Sequence, residues 1–185
     1  MRLKNGSYLL LAVLIILADQ LSKLYIYSVL VPGESMPVLD NFLRFTFIYN
    51  PAGVFGINVG NIVLYTILSI LAAAVVAVYF FKMPGRYKFA KICLATVFGG
   101  AIGNLIDRIF YGKVIDFIDV NIFDIVIQPF SFLFFKFGGF TLDRWYIFNI
   151  ADAAITLGLI GFVVFLLFQD KLYKPEPTAE PPEID

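Results

Sequence analysis

Histidine is absent from this 185-residue chain, and cysteine occurs once, at Cys93. Without imidazole there is no Ser-His or Cys-His catalysis, no His-ligated zinc and no imidazole switch. A single thiol makes neither an intrachain disulfide nor a thiolate cluster. Charge is scarce as well: 15% of residues are charged, and fourteen basic residues balance fourteen acidic ones. No basic block of the kind that engages nucleic acid is present, so no nucleic-acid partner is expected. Any chemistry must come from carboxylates, amides, Lys, Arg or hydroxyls.

What fills the chain is apolar: 60% of residues are hydrophobic and 17% aromatic, with a mean hydropathy of +0.85. A soluble domain carries about 45–50% apolar and roughly 25% charged residues. A chain this short leaves much of its surface exposed, so the excess cannot be hidden in one core. A bilayer is the solvent that suits it.

Crossing about 30 Å of hydrocarbon takes roughly 20 apolar residues in a helix. Residues 62–81 form a run without a charge, and residues 150–168 are interrupted only by Asp152. Residues 89–110 begin apolar and end polar, at Asn104, Asp107 and Arg108; residues 8–31 are interrupted by Asp19, Gln20 and Lys23. The expectation is an all-α membrane protein, a bundle of four transmembrane helices in one domain over 1–174. No small-x-small cleavage site follows the first run, so it reads as a retained helix rather than a signal peptide.

Basic residues set the orientation. Arg2, Lys4, Lys82, Arg86, Lys88, Lys91, Lys171 and Lys174 fall on one side; only Arg44, Lys113, Lys136 and Arg144 fall on the other. Both termini are therefore expected in the cytoplasm, with residues 175–185, rich in Pro and Glu, a disordered cytoplasmic tail. On the external side, residues 42–49 and 114–120 alternate like strands, and 125–137 is rich in Phe but contains Pro129. These segments predict a small extracytoplasmic β-sheet at the membrane surface, with Asp116 and Asp119 on opposite strand faces.

An ionisable residue inside a membrane helix costs about 2.5–3.5 kcal/mol on insertion scales, so each needs a reason. Asp19 and Lys23, four apart, share a helix face. They are either an ion pair packing the first helix into the bundle or groups that touch a substrate. Gly99, Gly100 and Gly103 form a small-residue face suited to close helix packing. Asn104, Asp107 and Arg108 follow on one side, where a solvated helix end accounts for Asp107. Asp116 lies in the apolar stretch Val-Ile-Asp-Phe-Ile, and Asp152 in the first turn of the fourth helix. If they meet, two carboxylates sharing a proton can activate water without metal or imidazole. The competing account of Asp152 is helix capping, with Asn149 as N-cap.

Five segments, in order, resemble lipoprotein signal peptidase (signal peptidase II), a family of bacterial membrane aspartyl proteases. They are Asp19-Gln-Leu-Ser-Lys23, Asn50-Pro-Ala-Gly-Val-Phe-Gly56, Gly99-Gly-Ala-Ile-Gly-Asn-Leu-Ile-Asp-Arg108, Val114-Ile-Asp-Phe-Ile118 and Phe148-Asn-Ile-Ala-Asp-Ala153. The resemblance implies that Asp116 and Asp152 are a catalytic dyad, and that Asp19, Lys23, Asn50, Gly100, Asn104, Arg108, Asn149 and Ala151 shape the site. It implies cleavage of prolipoproteins before a diacylglyceryl-modified Cys at the outer leaflet of the bacterial inner membrane, with no cofactor or metal and with membrane lipid as the surroundings; a monomer is expected. Two features depart from the family pattern. Ala52 stands where Gly is usual, with Gly53 following, and the stretch 121–144 is longer, adding Asp124 and Asp143 as further carboxylates, read as surface residues.

Three other readings were open to these residues. A small proton-coupled transporter would use intramembrane carboxylates as relays, but would place them near the midplane. A lipid-binding scaffold would need no chemistry. A Ser-Lys hydrolase meets the objection that Ser22 and Lys23 are adjacent and point to different faces.

Overall fold

Four long helices take up most of the apolar sequence in the computed structural model, which describes residues 5–51, 62–121, 125–132, 134–142 and 144–172. They are α1 (Asn5–Val29), α2 (Ile62–Lys82), α3 (Lys88–Tyr111) and α4 (Ile150–Leu172). Each is long and apolar enough to cross a membrane. The expected disordered tail, Ala52, Gly53, Asp124 and Asp143 all lie outside the described residues.

Helix α3 is the hub, packing against α1, α2 and α4. Over half of its span is buried inside the protein (56%), against 6% for α2, which explains why α3 can carry polar side chains and α2 carries none that are charged before its last turn. Small residues bring the helices close. A Cβ on Gly99 would stand 2.9 Å from the Ala12 carbonyl oxygen of α1, and one on Gly100 would collide with the Ala151 carbonyl of α4. In lipid no hydrophobic force draws helices together, so such backbone approach supplies the packing. The outward faces remain apolar, as at Leu21 and Leu167, and suit acyl chains.

The all-α description needs correcting, because seven short strands accompany the helices among the described residues. Strands β1 (Ser35–Leu39), β2 (Leu43–Asn50) and β3 (Val114–Val120) form an antiparallel sheet in the order β1-β2-β3. Strands β4 (Ile125–Ile127) and β7 (Phe140–Leu142) pair with each other, as do β5 (Phe130–Phe132) and β6 (Phe135–Phe137). The segments between the helices thus make one sheet and two separate ribbons rather than a single sheet. Pro129 lies in the connection from β4 to β5, and Gly139, at φ +86°, turns the chain from β6 to β7. Both residues are turn formers that end short strands.

The sheet sits at one end of the bundle, fastened by a core of Ile26 in α1's last turn, Leu30 just after it, Phe47 of β2, and Ile115 and Phe117 of β3. At the end of α3, Gly112 adopts the left-handed conformation (φ 66°) and its N–H returns to the Arg108 carbonyl at 3.2 Å. This cap stops the helix and reverses the chain within two residues. Strand β3 consequently starts beside the polar end of α3, and Asp116 is carried back towards it.

Candidate active site

Asp116 is 1% exposed, and its neighbours Val114, Ile115 and Phe117 are buried with it. Its Oδ2 accepts a hydrogen bond from Asn50 Nδ2 of β2 at 2.8 Å, and its Oδ1 one from Asn149 Nδ2 at 2.7 Å. Asn149, fully buried, immediately precedes α4. Its Oδ1 accepts the backbone N–H of Asp152 at 2.8 Å, while its own N–H reaches Asp152 Oδ2 at 3.3 Å. This is a reciprocal capping box: two donors at the start of α4 are satisfied by one pair of side chains. The capping account of Asp152 therefore holds, and the same residue also faces the polar cluster. Its Oδ1 accepts Asn104 Nδ2 at 2.7 Å.

The two acids are connected by two amides. Asn149 Nδ2 also donates to Asn104 Oδ1 at 3.0 Å and to the Ile115 carbonyl at 3.2 Å. Burial, then the nearby Asp152 carboxylate, pushes the Asp116 pKa up to about 7, against the hydrogen bonds from Asn50 and Asn149 and the charge of Lys23. Near neutral pH the Asp116 carboxyl is thus poised to hold a proton, as a buried acid beside a like charge should.

Beneath the acids, Lys23 Nζ makes an ion pair with Asp19 Oδ2 at 2.7 Å and another with Asp107 Oδ2 at 2.8 Å, and donates to Asn104 Oδ1 at 3.2 Å. All three charged side chains are at most 3% exposed. Asp19 Oδ1 accepts the Ala151 N–H at 2.9 Å, which ties α1 to the first turn of α4. The ion pair thus packs the first helix into the bundle. Close approach is possible because Gly103 lacks a Cβ, which would stand 2.7 Å from Asp19 Oδ2.

Asp107 is the residue that the sequence misplaced. It is not a solvated helix end: it is 1% exposed and accepts Lys23, Gln20 Nε2 at 3.0 Å and the Ile115 N–H at 3.1 Å. Its offset of three from Asn104 was the signal, since it puts both on one face of α3. Gln20, passed over as an interruption of α1, donates to Asp19, Asp107 and the Gly103 carbonyl. Arg108 is half-buried; its Nη1 reaches the Asn104 carbonyl at 3.4 Å, and its Nε is buried with no acceptor among the described residues. Its guanidinium lies within the electrostatic reach of Asp152 and Asp116. Ser22 donates its hydroxyl to the Asp19 carbonyl at 2.8 Å, which answers the Ser-Lys reading. Among the described residues no group of three or more His, Cys, Asp or Glu side chains could hold a metal ion.

Comparison with known proteins bears on this arrangement. The model of the family described as signal peptidase (SPase) II matches residues 11–168. A lipoprotein signal peptidase of Moorella thermoacetica is 33% identical over 174 residues, covering 94% of this chain and 99% of that protein. One of Syntrophus aciditrophicus is 36% identical over 169 residues, covering 89% and 94%. One of Staphylococcus aureus is 34% identical over 163 residues, covering 88% of each. A solved bacterial membrane enzyme superposes with a TM-score of 0.75 at 31% identity, covering 95% of both chains. The transporter reading finds no support in these matches.

Proposed function

Because the chain belongs to the signal peptidase II family, we propose that it removes signal peptides from prolipoproteins, with Asp116 and Asp152 acting as one hydrolytic pair. The observation that carries the reading is the shared amide clamp: Asn149 holds Asp116 at 2.7 Å and takes the Asp152 N–H at 2.8 Å, while Asn104 holds Asp152 at 2.7 Å. Two acids from distant parts of the chain are thereby fixed to one side chain, Asn149, whose amide also donates to the Asn104 that holds Asp152.

The pair holds one proton. Asp116, in its apolar strand, keeps it near neutral pH. Asp152, which accepts Asn104 Nδ2 and the Asn149 N–H at the start of α4, takes the role of base. Asp152 takes a proton from water as the water oxygen attacks the scissile carbonyl. Asp116 gives its proton to the developing oxyanion. The tetrahedral intermediate then collapses as the C–N bond breaks, the leaving amine takes the proton from Asp152, and one hydroxyl of the intermediate returns its proton to Asp116 as the carboxyl product forms. Arg108 Nε, buried with no acceptor among the described residues, is a donor available to a substrate oxygen. Lys23, Asp19 and Asp107 hold the floor on which Asn104 stands.

The basic-residue asymmetry puts both termini in the cytoplasm and the sheet end, with the acids, at the outer surface of the bacterial cytoplasmic membrane. The substrate on this reading is a prolipoprotein cut before its diacylglyceryl-modified Cys, its acyl chains lying in the bilayer against the bundle. The test uses purified protein, a diacylglyceryl-Cys prolipopeptide and its unlipidated counterpart, with Asp116→Asn and Asp152→Asn made separately. Cleavage of the lipidated peptide by the parent, lost in both variants, supports the dyad. Near-normal cleavage by either variant ends it.

A further inference from the structure

We propose that a cleft between α1, β2 and the turn from α3 to β3 binds the phosphodiester headgroup of a membrane phospholipid, with Lys113 as its cation. The cleft measures about 350 Å³; its walls include Leu24 and Ile115, and its rim is formed by Tyr27, Tyr49, Tyr111 and Lys113. Neither Asp116 nor Asp152 lines it, although Lys23 and Asp107, which lie beneath those acids, also form its floor.

The charges fix where an anion can sit. On the floor, Lys23 is engaged with Asp107 at 2.8 Å and Asp19 at 2.7 Å, so the buried triad has one more acid than base and offers an anion nothing. Lys113 differs. Its Nζ stands 3.3 Å from the centre of the Tyr49 ring, and among the described residues it has no carboxylate partner. An ammonium over an aromatic face is held by the ring's quadrupole, yet keeps its donors available. Three phenols line the cleft with it, two of them, Tyr27 and Tyr111, more than half exposed. The Tyr49 phenol is pushed up in pKa by burial and by the neighbouring Tyr27 and Tyr111, so it stays a donor. One cation and several hydroxyl donors at a rim match a singly charged phosphodiester, which accepts charge-assisted hydrogen bonds.

The surroundings match the rest of a lipid. The cleft lies at the end of α1 and just past the end of α3, where tyrosines favour the headgroup level. From Tyr27 back along α1, Leu24, Leu21 and Leu17 are 56%, 63% and 49% exposed. At spacings of three and four they form one stripe down the helix, on which an acyl chain can lie.

The experiment is native mass spectrometry of the full-length, delipidated protein titrated with phosphatidylglycerol, with diacylglycerol, and with phosphatidylglycerol in the presence of inorganic phosphate. Phosphatidylglycerol should bind about tenfold better than diacylglycerol, and Lys113→Gln should bind it about tenfold less well than the parent, the worth of one charge-assisted hydrogen bond. Lys113→Arg and the exposed Lys136→Gln should retain it, and inorganic phosphate should not displace it. Equal binding of diacylglycerol, equal binding by Lys113→Gln, or displacement by inorganic phosphate at the lipid's own concentration would each overturn the proposal.

Discussion

Asn149 and Asp116 are joined by a 2.7 Å hydrogen bond from Nδ2 to Oδ1, and the opposite end of the same amide caps the helix that carries Asp152. One side chain thus performs two separable tasks. Serine is as good an N-cap as asparagine but has no second arm to reach Asp116. Asn149→Ser should keep thermal stability within about 0.5 kcal/mol of the parent while cleavage falls about a hundredfold, the loss expected when a reacting group is misplaced by roughly 1 Å. Asn149→Ala should lose both activity and about 1 kcal/mol of stability. Thermal unfolding in detergent, beside prolipopeptide cleavage, separates the two; equal activity in parent and Ser variant would refute the clamp.

Activity should decline as pH rises through about 7, where the Asp116 carboxyl gives up its proton. The Asn50 hydrogen bond at 2.8 Å favours the ionised form, so Asn50→Ala should move that limb to higher pH. Stability follows the same sign. A carboxyl whose folded pKa is raised contributes stability that is fully present below its unfolded value of 3.8 and lost as pH rises through about 7. Asp116→Asn should therefore unfold at a higher temperature than the parent above neutrality, and the difference should shrink in acid. A pH–rate profile and paired unfolding curves check both statements.

The buried triad makes a prediction of the opposite kind. Lys23 is the common partner of Asp19 and Asp107, and both acids are at most 1% exposed. Removing the cation in Lys23→Met leaves two uncompensated buried carboxylates and should cost about 3–5 kcal/mol. Asp107→Asn removes an acid but keeps acceptors and should cost less. Folded yield and unfolding temperature in detergent measure the difference; a Lys23→Met protein as stable as the parent would contradict the burial.

How much of this was legible in sequence depends on how each signal is encoded. The four helices are written in hydropathy, which the bilayer requires over whole spans, and β3 in the alternation of residues 114–120. Strand β1 had no such pattern: Ser35–Leu39 is nearly all exposed and holds Pro37, tolerable because among the described residues it is an edge strand paired with β2 alone. Gly100 and Asn104 were marked by type and spacing. The burial of Asp107 was not, because a polar helix end and a polar interior look alike until the turn at Gly112 folds β3 back over it.

Close helix approach is the easiest of these features to perturb. A Cβ at Gly100 would collide with the Ala151 carbonyl, and one at Gly103 would stand 2.7 Å from Asp19 Oδ2. Gly6 has nothing within 4 Å. Gly100→Ala and Gly103→Ala should each cost about 1–3 kcal/mol through displaced backbone or a broken ion pair, and Gly6→Ala should be neutral or slightly stabilising. Unfolding temperatures of the three variants decide whether the small-residue face packs as described.

The two acids also stand on segments that are laced together along the edge of β3 opposite β2. Trp145 N–H reaches the Val120 carbonyl at 3.0 Å, Phe148 N–H the Ile118 carbonyl at 3.1 Å, and Ile118 N–H the Phe148 carbonyl at 2.7 Å. Arg144 begins this lacing: its Nε donates to Asp119 Oδ1 at 2.5 Å, its Nη2 to the Asp119 carbonyl at 3.1 Å and its Nη1 to the Asn41 carbonyl at 3.0 Å. Lysine keeps the charge but not the planar fork. Arg144→Lys should therefore lower stability by about 1.5–3 kcal/mol, and a double variant with Asp119→Asn should cost less than the sum of the singles, because both remove one interaction. Burial alone would raise the Asp119 pKa, but the hydrogen bonds from Arg144, Thr46 and Arg44 hold it below 3.8. Its stabilising contribution is then present above 3.8 and lost as pH falls through the lower folded value. Acid unfolding of the parent should contain this component and that of Asp119→Asn should lack it; identical acid limbs would show that the fork does not hold β3 to the segment leading into α4.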